Sequence, residues 1–139
     1  SADPGGSVVR AAHELGLNVV PLVGPLSLML ALAGSGLNGQ HFAFVGYLPQ
    51  DATARTQRIR ELEALSLKSG QTQIAIETPY RNTALLNALV LTLHTHTRLA
   101  VACNITLAGA AQHSALVSEW RRATPKLPLD GPAVFLFGR

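Results

Sequence analysis

The chain has 139 residues, enough for one ordinary domain that buries a core without help from disulfides or metals. Charged residues make up 14% and apolar residues 47%, a balance that excludes intrinsic disorder, and the apolar runs are too short for a membrane span. The net charge of +3 comes from nine Arg and two Lys against eight acids, too modest by itself to indicate a nucleic-acid partner, and one cysteine, Cys103, excludes an intrachain disulfide framework.

The opening Ser1-Ala2-Asp3-Pro4-Gly5 has no initiator Met, positive n-region or apolar h-region, so it reads as an internal piece of a longer protein rather than a signal peptide. Residues 7–15 carry apolar positions at helical spacing and stop at Gly16. Residues 18–23 read as a short strand, with Pro21 confining it to an edge or a strand end. An apolar helix over 26–33 follows and runs into Gly34 and Gly36, and 41–47 reads as a strand rich in aromatics.

The clearest amphipathic helix covers 52–65, with Ile59, Leu62 and Leu65 as its buried stripe and Arg55, Arg58, Arg60, Glu61 and Glu63 on the wet side. A strand over 72–77 leads to Thr78-Pro79, an N-cap and a first-turn proline for a helix reaching about residue 93. A strand over 98–105, a short helix over 114–123 and a last buried strand over 132–137 complete the series. Strands alternating with helices point to an α/β layer fold with a parallel or mixed sheet and flanking helices.

Most motif matches have bland explanations. Gly34-Ser35-Gly36-Leu37-Asn38-Gly39 spells G-x-G-x-x-G, but a helix precedes it and a strand follows. Dinucleotide binding needs the reverse, so the run reads as a helix stop and boundary turn. Asn104-Ile105-Thr106 is a chance glycosylation sequon. His94 and His96 fall on different sides of a helix end with no acidic or Cys partners, which leaves no metal site. Cys103 reads as a small buried residue. Glu77, a carboxylate where a strand ends and a helix begins, lies where open α/β sheets bind ligands. Read from its residues alone, the chain is a ligand-binding α/β lobe whose ligand and catalytic residues are open.

Several segments, in order, carry a resemblance. Ala2-Asp3-Pro4-Gly5 resembles S-D-P-G, and Val19-Val20-Pro21-Leu22-Val23-Gly24-Pro25 resembles V-V-P-L-P-G-P. Residues 32–37 (LAGSGL) resemble L-S-A-S-G-L, Phe44-Val45-Gly46-Tyr47-Leu48-Pro49 resembles F-x-G-F-L-P, and Ile76-Glu77-Thr78-Pro79-Tyr80-Arg81 resembles Y-E-S-P-H-R. Together they resemble the tetrapyrrole methylase superfamily of S-adenosylmethionine-dependent methyltransferases, in the branch that methylates a ribose 2′-hydroxyl of small-subunit ribosomal RNA.

The resemblance implies a two-lobe, homodimeric, cytoplasmic enzyme with the cofactor between its lobes. Residues 1–37 would be the end of the N-terminal lobe and the connecting helix, and 38–139 the C-terminal α/β lobe. The rest of the N-terminal lobe would be the missing partner. S-adenosylmethionine would contact Gly24, Leu26, Ser27, Glu77 and Ile105, and RNA phosphates would meet Arg55, Arg58 and Arg81. Leu26 stands where the family has Ser or Thr, and Cys103-Asn104 replaces an Arg-Glu pair. These departures keep open a tetrapyrrole substrate, or a non-catalytic interaction module of the same fold. Sparse charge and the apolar helix at 85–93 add an expectation of self-association.

Overall fold

The computed structural model describes residues 5–21, 27–105 and 107–139. Helices α1 (Gly6–Glu14) and α2 (Ser27–Ser35) come first, followed by strand β1 (Phe42–Tyr47), helix α3 (Ala52–Ser69) and strand β2 (Thr72–Ile76). A 3-10 turn at Pro79–Arg81 opens helix α4 (Asn82–Thr92). Strands β3 (Arg98–Cys103) and β4 (Ala111–Leu116), helix α5 (Val117–Arg122) and strand β5 (Ala133–Gly138) complete the chain. The strands form one mixed sheet in the order β1-β2-β5-β3-β4. β1 is parallel to β2, whereas β5 is antiparallel to both β2 and β3, and β4 is antiparallel to β3. β1, β2 and β3 therefore run the same way, and their carboxyl ends share one end of the sheet with the start of β5. The expected α/β class, a mixed sheet with flanking helices, is what the chain forms.

The two faces of the sheet are covered unequally. Alternate residues Leu99, Val101 and Cys103 of β3 and Ala133, Phe135 and Phe137 of β5 point to one face, where α3, α4 and α5 supply Ile59, Leu62, Leu85, Leu89 and Trp120. Trp120 satisfies its buried indole N–H by donating to the Leu99 carbonyl at 2.9 Å. On the other face Ile74, Ile76, Ala100, Ala102, Val134 and Leu136 meet Ala31 and Leu32 of α2, which packs across β3, β4 and β5. β1 lies beyond that cover. Phe42 pairs with Thr72 and Phe44 with Ile74, so both rings stand on the α2 face, 38% and 45% exposed.

Local chemistry explains most element ends. Asp51 caps α3 by accepting from the Ala54 amide at 2.9 Å, and Gly70 ends it at φ +79°, a left-handed conformation that suits glycine. Gly34 lies inside α2 rather than after it. A β-carbon there would overlap the side chain of Gln112 on β4, so its lack of a side chain seats the helix on the sheet. Gly36, at φ +75°, is the residue that stops α2.

Several sequence expectations fail for definite reasons. Residues 18–21 carry no regular structure, and the rest of the expected strand lies outside the described residues. The buried stripe of α3 is Ile59, Leu62, Glu63 and Ser66, while Leu65 is 45% exposed. Glu63, expected on the wet side, is 2% exposed because it accepts from the His94 amide (2.9 Å) and the Thr97 hydroxyl (2.6 Å). Thr78 makes no side-chain cap. Residues 114–116 belong to β4 rather than to a helix. There Gln112 and Ser114 face α2 and donate to the carbonyls of Ala31 and Ser35, so polar residues fill inward positions. In α4, Leu85, Leu86 and Leu89 are spent on this lobe's own core, while Leu91 is exposed.

Candidate functional site

A cleft of about 460 Å³ opens at the sheet end where β1, β2 and β3 finish, on the face that α2 covers only in part. That volume falls within the range of small-molecule and cofactor sites, roughly 300–1,000 Å³. Ser27 and Leu28 at the start of α2 form one wall, and Tyr47 at the end of β1 forms another. Ile76, Glu77, Thr78 and Pro79 follow β2, Ala102, Ile105 and Leu107 come from the end of β3, and Pro132, Ala133 and Val134 open β5.

Glu77 supplies the charge. The carboxylate is buried, and its Oε1 accepts from the Thr78 amide at 2.8 Å, which turns the backbone out of β2. Oε2 takes no hydrogen bond from the described residues. On the opposite side Asn104, at φ +52°, ends β3 and donates its amide to the Pro132 carbonyl at 2.9 Å. Most of the lining is apolar side chain and main chain, which suits a flat, partly apolar ligand held by few polar contacts.

The structure brings Ser27, Glu77 and Ile105 together around this cleft. Gly24 and Leu26 lie outside the described residues. Arg55, Arg58 and Arg81 do not line it. Arg55 is half-buried near the start of α3, Arg58 is one turn further on and pairs with Glu61 at 3.5 Å, and Arg81 lies over the Tyr80 ring at 4.9 Å. Tyr47 and the 132–134 segment were not foreseen as lining. Phe44-Val45-Gly46-Tyr47-Leu48-Pro49 was visible as a motif, but which ring faces a ligand depends on the β1–β2 register. Burial pushes the Cys103 thiol above its ordinary pKa and keeps it protonated, as suits an inert core residue. Among the described residues there is no group of three or more metal-ligating side chains, and no helix is long and apolar enough to cross a membrane.

A mixed sheet with a cleft at the carboxyl ends of its parallel strands has the geometry at which open α/β sheets bind ligands. No family model matches the chain. Its sequence is 34% identical over 129 residues, 93% of the chain, to a protein named ribosomal RNA small subunit methyltransferase I from Neisseria meningitidis serogroup B, of which it covers 42%. Its fold is similar to a cobalt precorrin-4 methyltransferase, with a TM-score of 0.59 at 11% identity over 97% of this chain and 58% of that one. It is also similar to a uroporphyrin-III C-methyltransferase from Thermus thermophilus complexed with S-adenosylhomocysteine, with a TM-score of 0.53 at 17% identity over 97% of this chain and 59% of that one. The chain spans less than half the length of the curated relatives it matches. It shares the fold of these tetrapyrrole methyltransferases.

Proposed function

We propose that the chain is the C-terminal part of a cytoplasmic S-adenosylmethionine-dependent methyltransferase that acts on small-subunit ribosomal RNA. Residues 1–37 are then the end of the N-terminal lobe and its connecting helix, and 38–139 the C-terminal lobe. The observation that carries the cofactor reading is the cleft at the ends of β1, β2 and β3, with Glu77 offering a free carboxylate oxygen among main-chain and apolar groups. The sequence relatives, named for ribosomal RNA, favour that substrate over a tetrapyrrole.

When bound, S-adenosylmethionine supplies an activated methyl group. Ser27 would hold it from the start of α2, with Gly24 and Leu26 as the further contacts the sequence suggests, Glu77 from the end of β2, and main chain at Ile105 from the end of β3. These are positioning contacts. Holding donor and acceptor in line at near-contact distance supplies much of the acceleration in such a transfer, and a second wall is needed to do it. We assign that wall to an N-terminal lobe and expect the whole protein to be a homodimer. Arg55, Arg58 and Arg81, beyond the cleft, are the residues proposed to meet RNA phosphate.

Calorimetry with S-adenosylhomocysteine tests the cofactor reading. Residues 1–139 are expected to bind weakly or undetectably, and the protein with both lobes to bind measurably. Tight binding by residues 1–139 alone would show that the second wall is misassigned. For the substrate, RNA binding by the two-lobe protein should weaken with salt, and each Arg→Ala change should lower the salt slope by about one unit. Unchanged binding in the triple variant returns the arginines to an ordinary solvated face.

A further inference from the structure

The cleft is held from behind by a residue that does not line it. Asn82 opens α4 on the three-helix side of the sheet and is fully buried. Its Nδ2 donates to two main-chain carbonyls of the loop entering β5, Leu129 at 3.0 Å and Gly131 at 2.9 Å. The next residues in that loop, Pro132 to Val134, form one wall of the cleft. Asn82 is also five residues beyond Glu77, on the connection that supplies the Glu77–Pro79 wall. One short connection therefore gives one wall directly and fastens the other through an amide.

A second asparagine clamps the same segment from the β3 side. The Asn104 amide donates to the Pro132 carbonyl, and its side-chain carbonyl lies against Gly131 so closely that a β-carbon at 131 would overlap it. The loop is thus fixed at three successive points, the carbonyls of Leu129, Gly131 and Pro132, by side-chain and main-chain donors from α4 and the end of β3. A buried amide carrying two bonds to one loop rigidifies that loop at the cost of desolvating polar atoms, and the Asn82 Oδ1 is left without a partner.

We infer that Asn82 is a positioning residue: it sets the spacing between the Glu77–Pro79 and Pro132–Val134 walls and thereby the affinity of the cleft for its ligand. The ligand assigned, an S-adenosyl nucleoside, rests on the function proposed above. Asn82 touches neither ligand nor reacting atoms, so its effect belongs in binding and not in the chemical step.

The test uses the two-lobe protein with Asn82→Leu, which keeps the number and branching of side-chain heavy atoms and removes the donors, and Gly131→Ala, which displaces the same loop while leaving Asn82 intact. Both variants should raise the dissociation constant of S-adenosylhomocysteine for folded protein by about tenfold, with KM for the methyl donor rising and kcat holding within about twofold. Amide exchange should quicken in 129–134 and stay unchanged in β1 and α3. A residue with a purely structural role would lower the melting temperature and leave the affinity of the folded population as it was; that result overturns the inference. So does unchanged exchange in 129–134. Absence of S-adenosylhomocysteine binding by the unaltered protein overturns the cofactor reading and its ligand, and is distinguished from failure of the latch by the exchange data.

Discussion

The two faces of the sheet divide the labour of the lobe. On one, α3, α4 and α5 bury a continuous cluster that includes Trp120, Phe135, Phe137 and four leucines of 85–93. On the other, α2 covers β3, β4 and β5, leaving β1 bare and a cleft between the start of the helix and the strand ends. The larger apolar cluster lies where cover is complete, and the candidate cleft opens on the side where it is partial. Even the buried polar groups follow the division. Glu63 ties α3 to the α4–β3 connection through the His94 amide and Thr97, whereas Glu77, beside the cleft, has one oxygen that takes no hydrogen bond from the described residues.

Substitutions on the two faces should separate stability from binding. Trp120→Ala removes a fully buried ring and its bond to Leu99, and is expected to cost about 3–5 kcal/mol in urea unfolding. A loss below about 1 kcal/mol would mean the three-helix face is not where the fold is held. Glu63→Ala strands the Thr97 hydroxyl and the His94 amide, and is expected to cost about 1–3 kcal/mol by the same measurement. Glu77→Ala should leave the melting curve nearly unmoved and, in the two-lobe protein, weaken S-adenosylhomocysteine by no more than about fivefold, because the lining around it is mostly apolar and it offers a single polar contact. A larger loss would make that carboxylate a principal anchor. Phe44→Ala, at a half-exposed site, should change stability by under about 0.5 kcal/mol. A full core-type loss there would erase the distinction between the faces.

Where helical or strand periodicity coincided with burial, the sequence was sufficient to place the elements. β2 and β5, short and buried throughout, fell within a residue of expectation, whereas α3 runs four residues past its expected end at 65, to the stop at Gly70. Periodicity failed where polar side chains are buried to serve distant backbone. Glu63 lies on the inner side of α3 while Leu65, expected there, is exposed, and β4 is built from Gln112, His113 and Ser114, a run with little strand character of its own. Those positions answer to α2 and to the 94–97 loop, partners remote in sequence. The site shows the same limit. Glu77 is recognisable as a carboxylate at a strand end, but Tyr47 joins it only through the pairing of Tyr47 with Ile76. Asn82 gives no local signal at all, because both carbonyls it holds lie more than forty residues away.

The two outer strands of the sheet also have different consequences in solution. β4 carries Gln112, His113 and Ser114, and two of these are bonded back to α2. β1 reads Phe-Ala-Phe-Val-Gly-Tyr, with no lysine, proline or charge along its length, so the register break between Phe44 and Gly46 is the one guard its own sequence offers against strand addition. Loss of the isolated lobe from solution is therefore expected to begin at β1 while the core is still folded. A lysine in place of Phe42 should raise the concentration at which aggregates form without moving the melting temperature.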